Sequence, residues 1–144
     1  MKFPRMRLIR DEIEKTQEDI AKVLGVERST YAGWEIGKDT IPLRKLKLLS
    51  DYLKISIDYI VGLSEENNYT ESKEKEISLD TVAKNLRTIR KEQHLNQKDI
   101  YILLNTTSST YSAYETGKVL IQTSFLYIIA NKYKYSIDWI ISNK

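Results

Sequence analysis

Residues 16–38 read TQEDIAKVLGVERSTYAGWEIGK, and residues 96–118 read NQKDIYILLNTTSSTYSAYETGK. The two stretches lie eighty positions apart and align without a gap, which chance does not explain. The likeness continues on both sides and gives each copy a length of about 55 to 60 residues. The chain therefore carries one structural unit twice, and the duplication indicates where its domains lie. Identical pairs include Gln17/Gln97, Ser29/Ser109, Tyr31/Tyr111, Glu35/Glu115, Lys38/Lys118, Arg10/Arg90 and Ile60/Ile140.

Two domains and a linker follow from the duplication. The copies predict a first domain over residues 1–63 and a second domain over residues 78–144. Between them, residues 64–77 are mostly polar and charged and have no apolar periodicity, which is typical of a solvated linker. Domains of this size are close to the lower limit for an independent core, so we expect each to be modestly stable.

Both copies have apolar residues at the spacing of amphipathic helices, and no segment requires a strand. The pattern predicts five short helices in each domain and an all-α fold. Tyr31 and Trp34, with Tyr111 and Tyr114 in the second copy, share this helical spacing with apolar neighbours. We therefore expect these rings in the two cores, although aromatic rings can also stack on the bases of a single strand.

The predicted helix ends carry suitable capping residues. Side chains that can cap a helix N-terminus precede the second helix of each copy. Residues that tolerate positive φ follow the second and third helices, where the chain must turn. The N-terminal capping pairs are Thr16/Asp19 and Asn96/Asp99, and the residues at the turns are Gly25, Gly37, Asn105 and Gly117.

Composition excludes several classes of function. The 144 residues include no cysteine and a single histidine, His94, so we expect no disulfide and no zinc cluster. We see no Gly-rich phosphate loop and no nucleophile with a histidine base, and therefore expect neither an enzyme nor a cofactor. The sequence has no run of about 18 apolar residues and no signal peptide, which predicts a cytoplasmic protein without a membrane span.

The net charge of each domain is small. Residues 1–64 carry +2, residues 65–80 carry −4 and residues 81–144 carry +5, and the whole chain carries +3 at pH 7. Attraction to phosphates is normally the largest sequence-independent part of DNA affinity. This balance predicts modest non-specific binding to DNA that fades as salt is raised, so any role on DNA would require a specific binding motif.

The first copy contains Gln17, Ala21 and Gly25, followed by STYAGWEIG at residues 29–37 and LKISIDYIVG at residues 53–62. In this combination it resembles the helix-turn-helix of the phage Cro/repressor, or XRE-type, family. The resemblance covers both copies and leaves out only the linker and the termini. It implies an all-helical DNA-binding domain whose third helix, the recognition helix, enters the major groove.

The resemblance implies six DNA-binding residues in the first copy. Gln17 would contact phosphate and support the recognition helix, and Lys38 would touch the DNA backbone. Arg28 and Ser29 would read bases, and the Arg28 fork could bond O6 and N7 of one guanine together. A glycine inside a helix costs about 1 kcal/mol relative to alanine, so Gly33 is either needed for close approach to DNA or simply tolerated. The full set is Gln17, Glu27, Arg28, Ser29, Gly33 and Lys38.

The recognition helix of the second copy has no cation at the matching positions. In addition, Tyr101 replaces the small Ala21 where two helices approach closely, which predicts an altered crossing geometry. The second copy has either drifted from direct base reading or reads DNA through hydroxyl groups and DNA shape. Its candidate DNA-binding residues are Gln97, Thr107, Ser108, Ser109, Ala113 and Lys118.

Other charged residues have structural interpretations. The fold of the resembled family pairs an arginine of the first helix with a glutamate at the end of the third, so we expect ion pairs there and not phosphate contacts. A cluster of three cations at the start of the fourth helix could line a phosphate-binding rim, but such clusters are usually solvated. The expected pairs are Arg10–Glu35 and Arg90–Glu115, and the cluster is Arg44, Lys45 and Lys47.

These features predict a sequence-specific transcriptional regulator that binds double-stranded DNA, and the resemblance to the repressor family implies repression over activation. Repeat one would dock in the major groove, while repeat two binds a neighbouring half-site or holds a partner. The 64–77 linker, on the order of 40 Å when extended, would let both domains reach successive turns of one duplex. A homodimer and an intramolecular pseudo-dimer both fit the sequence. The alternative hypothesis is a protein-interaction or antitoxin-like module, in which tyrosines of repeat two mediate dimerisation or partner binding.

Overall fold

The computed structural model describes residues 1–143, and in that range the chain is helical with no strand. It divides into two compact units, Met1–Glu71 and Ser72–Lys144. The division falls inside the segment predicted as a linker. Each unit has five helices, so the predicted all-α fold with two five-helix copies is confirmed.

The first unit contains α1 to α5. Their bounds are α1 Pro4–Glu12, α2 Gln17–Leu24, α3 Arg28–Ile36, α4 Leu43–Leu53 and α5 Ile57–Ile60. The second unit repeats this order. Its bounds are α6 Leu79–Glu92, α7 Gln97–Leu103, α8 Ser108–Glu115, α9 Thr123–Tyr133 and α10 Ile137–Ser142.

The predicted aromatic residues lie in the two cores. Tyr31 and Trp34 are buried and meet edge to face, with ring centroids 6.2 Å apart. Tyr111 and Tyr114 repeat the arrangement at the same distance. Such pairs are worth about 0.5–1.5 kcal/mol beyond the area that they bury. The prediction that these rings are core residues is confirmed.

The predicted capping residues fix the second helix of each unit. Thr16 and Asp19 form a reciprocal capping box at the start of α2, and Asn96 and Asp99 form the same box at the start of α7. Each box satisfies two main-chain N–H groups that a helix start leaves without intrahelical partners. Both caps therefore confirm the predicted start of the second helix.

The turns that follow use positive φ, as predicted. Gly25 ends α2 at φ 68°, and Asn105 holds the matching position in the second unit at φ 54°. Gly37 ends α3 at φ 81°, and a Cβ placed on it would lie 2.8 Å from the Cβ of Lys2. Glycine is therefore required at position 37 both by the backbone and by the space available.

A polar side chain of the first helix closes each unit against its last helix. Arg5 donates to the carbonyl of Tyr59, at 2.9 Å, and to that of Ser64. At the matching position, buried Asn85 donates to the carbonyls of Trp139 and Ile140, at 3.2 and 2.9 Å. Different residue types thus satisfy main-chain carbonyls at or just beyond the last helix of each unit.

Tyr101 is accommodated beside the recognition helix of the second unit. Ala21 is fully buried in α2, whereas Tyr101 is half-buried in α7. The helix pair persists: α7 packs against α8 as α2 packs against α3. The predicted change in crossing geometry stays a prediction.

Candidate DNA interface

In the first unit, the turn at Gly25 presents the start of α3 to solvent. Glu27, which precedes the helix, and Arg28 and Ser29 in its first turn are all exposed. Glu27 makes no side-chain capping bond, so its carboxylate does not occupy the helix N-terminus. Lys38 follows the Gly37 turn at the other end of α3 and is also exposed. These four predicted residues can all reach a ligand outside the domain.

Gln17 links the recognition helix to the interior. Its Nε2 donates to the Glu35 carboxylate at 3.1 Å, and its Oε1 accepts from Nη1 of Arg28 at 3.3 Å. A half-buried amide therefore stands between a buried acid and an exposed guanidinium. Arginine has five N–H donors in a rigid fork, so one bond to Gln17 leaves it further donors for a base. The role of Gln17 in supporting the recognition helix stays a prediction, with which this contact agrees.

Glu35 is the buried acceptor at the centre of this network. It is 4% exposed and accepts from Arg10 Nε at 2.7 Å and from Arg10 Nη2 at 3.0 Å, a two-pronged ion pair. Burial disfavours the charged carboxylate, but hydrogen bonds from Arg10, Tyr31 and Gln17 outweigh it and lower the pKa of Glu35. The predicted ion pair is confirmed; it joins α1 to α3, and the hydrogen bond from Gln17 connects α2 to the same carboxylate.

The second unit repeats the buried contacts of this network, but the contact from the glutamine to an arginine of the recognition helix is absent. Arg90 Nε lies 2.9 Å from the buried Glu115 carboxylate, which confirms the second predicted ion pair. Gln97 donates to the same carboxylate at 3.3 Å, as Gln17 does to Glu35. Where the first unit has Arg28, the second has the short side chain of Ser108. The glutamine therefore has no guanidinium to hold.

Hydroxyl groups occupy the start of α8. The Thr107 side chain accepts from the N–H of Thr110, and its Oγ1 also lies 3.3 Å from Ser109 Oγ and 2.9 Å from Thr110 Oγ1. Thr107, Ser108 and Ser109 are exposed. This surface is uncharged and can both donate and accept hydrogen bonds.

Gly33 and Ala113 are in equivalent places inside α3 and α8. Gly33 is buried, and Ala113 is half-buried. A Cβ on Gly33 would lie 3.9 Å from the carboxylate of Asp39 and 4.0 Å from the Cβ of Lys38, which is ordinary van der Waals distance. Packing inside the domain therefore does not require glycine at position 33.

Carboxylates at the ends of α2 and α3 distinguish the two surfaces. Three exposed acids of the first unit are replaced in the second by a cation, a hydroxyl and an apolar side chain, all exposed. Lys118 is exposed beside them, as Lys38 is in the first unit. The second surface thus has fewer carboxylates to repel phosphate, although it also lacks two cations, because Ile102 and Ser108 replace Lys22 and Arg28. The replacements are Glu18 by Lys98, Glu27 by Thr107 and Asp39 by Val119.

Two cations of the α4 cluster have structural roles. Lys47 is 6% exposed and pairs with Asp51 at 2.8 Å, so the interpretation of the cluster as a solvated face is wrong for this residue. Lys45 donates to the carbonyl of Leu24 at 2.7 Å, at the end of α2. This bond ties α4 to the turn that positions α3, and sequence periodicity gives no signal for it.

Residues 1–143 contain neither a candidate membrane span nor a candidate metal cluster. None of the helices there is long and apolar enough to span a bilayer. That part of the chain also has no group of three or more His, Cys, Asp or Glu residues placed to hold a metal ion.

Comparisons with known proteins match both halves of the chain. A family model described as "Helix-turn-helix" matches residues 6–60, and one described as "Helix-turn-helix domain" matches residues 83–144. A protein of Bacillus subtilis (strain 168), described as an uncharacterized HTH-type transcriptional regulator, YobD, is 36% identical over 62 residues. Those residues are 43% of this chain and 55% of the relative, so the chain spans about half the length of that protein. No solved structure matches.

Proposed function

The chain consists of two tandem helix-turn-helix domains of the Cro/repressor type, and we propose that it binds specific sequences of double-stranded DNA as a transcriptional repressor. Repression would follow from occupation of promoter DNA in the cytoplasm. The name of the B. subtilis relative, which describes a transcriptional regulator, supports the regulatory part. Resemblance to phage repressors supports repression.

Arg28 carries the proposal for specificity. It is exposed in the first turn of α3, and Gln17 holds one of its guanidinium nitrogens. A held guanidinium loses less conformational freedom on binding, and arginine to guanine O6 and N7 is the commonest specific contact in the major groove. We propose that Arg28 reads a guanine, that Ser29 contacts a neighbouring base, and that Gln17 and Lys38 contact phosphates.

Repeat two has a different task in this proposal. Its surface keeps Gln97 and Lys118, adds the cation Lys98, and has no arginine to read a guanine. We propose that it binds the phosphate backbone of an adjacent segment and reads bases only weakly, through the hydroxyls of Ser108 and Ser109. Affinity would then come from both domains and sequence preference mainly from the first.

Selection from a pool of random duplexes tests the proposal. The wild-type chain should enrich a motif, and Arg28→Ala should lose the guanine in it while it retains weak, salt-sensitive binding. Arg7→Ala is the matched control: Arg7 is an exposed arginine of α1, outside the helix-turn-helix, and its removal changes the charge equally. The control should keep the wild-type motif. Failure of the wild-type chain to enrich any duplex at low salt would overturn the proposal.

A second candidate function is supported by two exposed apolar residues of the second unit. Ile102 and Val119 are 60% and 50% exposed and replace Lys22 and Asp39 of the first unit. Exposed apolar residues where the sister domain has charges favour a protein contact, either with a second copy of this chain or with another protein. Sedimentation of the wild-type chain and of Ile102→Lys at high salt tests it. An oligomer that survives salt and is lost in the variant would favour this function.

A further inference from the structure

Asn67 ties residues 64–69, which we call the strap, to the turn between α4 and α5. Its Oδ1 accepts the N–H of Ser56 at 2.9 Å, and its Nδ2 donates to the carbonyl of Lys54 at 3.1 Å. Lys54 ends α4 and Ser56 precedes α5. One side chain therefore satisfies main-chain groups on both sides of a helix–helix turn, where intrahelical partners are missing.

Tyr69 attaches the strap to α4. Its hydroxyl donates to Asp51 Oδ1 at 3.1 Å, and Asp51 also accepts from the buried Lys47. The ammonium of Lys54 lies 5.8 Å from the centroid of the Tyr69 ring. Burial and the bond to Asp51 raise the pKa of Tyr69 to about 12, so the hydroxyl remains a donor at neutral pH.

Arg5 holds the other end of the strap. Its guanidinium donates to the carbonyl of Ser64, pairs with Glu65 at 2.8 Å, and lies 4.5 Å from the centroid of the Tyr59 ring. The strap therefore contacts α1, α4 and the start of α5. The segment that its composition predicted to be solvated is, over residues 64–69, bonded to the first domain.

This attachment shortens the connection between the domains. Seven residues, 70–76, separate Tyr69 from Ile77, which is buried in the second unit. At ~3.3 Å per residue, the chain from Tyr69 to Ile77 reaches at most about 26 Å, against about 40 Å if it were free from Glu65 onward with Ser64 still bonded to Arg5. One helical turn of DNA is about 34 Å. The attached connection is thus shorter than one turn, and a released connection would be longer.

We propose that the strap, through Asn67 and Tyr69, restricts the spacing between the two DNA segments that the two domains occupy. The spacing part of this inference rests on the proposed function, because it requires both domains to bind DNA. Release of Asn67 and Tyr69 would add about 13 Å of reach, on the order of four base pairs of duplex.

Distances between the two domains test the strap without DNA. The chain has no cysteine, so Glu12→Cys and Asn131→Cys, at exposed positions of α1 and α9, place one spin label on each unit. Replacement of both Asn67 and Tyr69 by alanine should extend the longest distances by up to about 13 Å. Asn68→Ala is the matched control, because this neighbouring asparagine is exposed and its side chain makes none of the strap bonds described above. Identical distance distributions in wild-type and released chains would overturn the proposal.

Binding-site selection tests the consequence on DNA. The wild-type chain and Asn68→Ala should enrich two-part motifs with a narrow range of spacings, and the released chain should also accept longer spacings. Circular dichroism should show equal helix content in all three. If the double variant loses helix, Tyr69→Phe takes its place, because it keeps the ring and removes only the bond to Asp51. The range of accepted spacings should then widen by a smaller amount.

The outcomes separate the strap from the proposed function. A spacing range that is wide in the wild-type chain, or unchanged on release, overturns the spacing claim even if both domains bind DNA. A one-part motif, lost in Arg28→Ala, supports DNA reading by repeat one and overturns the spacing claim. No enrichment at all overturns the proposed function and the spacing claim together, while the label distances still decide whether the strap is attached.

Discussion

Replacement of Gly33 by alanine should stabilise the first domain. A glycine in a helix interior costs about 0.5–1 kcal/mol relative to alanine, because it loses more backbone freedom on folding. The new methyl group would meet Asp39 and Lys38 at ordinary contact distances and would displace neither. We therefore expect the full gain, with no steric term against it.

The second domain shows that alanine fits this backbone. The carbonyl of Gly33 accepts the N–H of Lys38 at 2.9 Å, and the carbonyl of Ala113 accepts that of Lys118 at 3.0 Å. The reverse substitution, Ala113→Gly, should therefore destabilise the second domain by a similar amount. The two variants are mirror images and serve as controls for each other.

Native-state hydrogen exchange followed by NMR measures both domains in one sample. The slowest amides of the first domain should exchange about two- to fivefold more slowly in Gly33→Ala, and those of the second domain correspondingly faster in Ala113→Gly. Faster exchange in Gly33→Ala would refute the claim that a methyl group fits at position 33 without steric cost. A stabilised domain that binds DNA more weakly would show that glycine serves close approach to DNA, whereas unchanged affinity would show that it is only tolerated.

Three further results are expected. Arg10→Ala should lower the free energy of unfolding of the first domain by about 3 kcal/mol at neutral pH, because Glu35 keeps a buried charge without its cation; hydrogen exchange measures it, and a loss below ~1 kcal/mol would contradict this reading of the pair. The pKa of Glu35 is lowered in the folded domain, so ionised Glu35 stabilises the first domain above the unfolded pKa, and this contribution is lost as pH falls through the folded pKa. The loss of stability in acid should therefore be smaller in Arg10→Ala, and unfolding measured at a series of pH values will show it. In anisotropy titrations, the slope of log affinity against log salt should correspond to about one fewer released ion in Lys98→Glu and about one more in Glu18→Lys. Unchanged slopes would mean that neither side chain faces phosphate.

Local patterns in the sequence were sufficient for much of the fold. The duplication aligned the capping boxes and turn residues of the two copies, and each lies where it was expected, as Gly25 and Asn105 show. The Arg10–Glu35 pair was also found, from resemblance to a family and not from periodicity. These features were predictable because their partners lie at fixed positions in a repeated motif.

Contacts between distant polar residues were not predictable in this way. Asn67 acts on the main chain of residues 54 and 56, and no periodic pattern marks such a bond. Arg5 and Asn85 do the same work with different chemistry, so the alignment of the copies did not reveal it. The cluster of cations around Lys47 predicts a solvated side chain, yet Lys47 is buried and forms an ion pair with Asp51.

The candidate DNA-binding residues were chosen by resemblance, and the structure adds one connection among them. It shows the bond from Arg28 to Gln17, and through Gln17 to Glu35. Side-chain bonds of this kind depend on the separation of α2 and α3, which a sequence does not give. Contacts of these residues with DNA remain a proposal.

The most direct test of that proposal is a double-mutant cycle between Arg28 and one guanine. In the duplex that the wild-type chain selects, the guanine assigned to Arg28 is replaced by 7-deazaguanine, which lacks the N7 acceptor, and affinities are measured for the wild-type chain and Arg28→Ala. A bidentate arginine–guanine pair contributes about 1–3 kcal/mol of discrimination, so the wild-type chain should lose about fivefold or more in affinity and Arg28→Ala should lose nothing. Equal losses in both proteins, or no loss in the wild-type chain, would contradict base reading by Arg28.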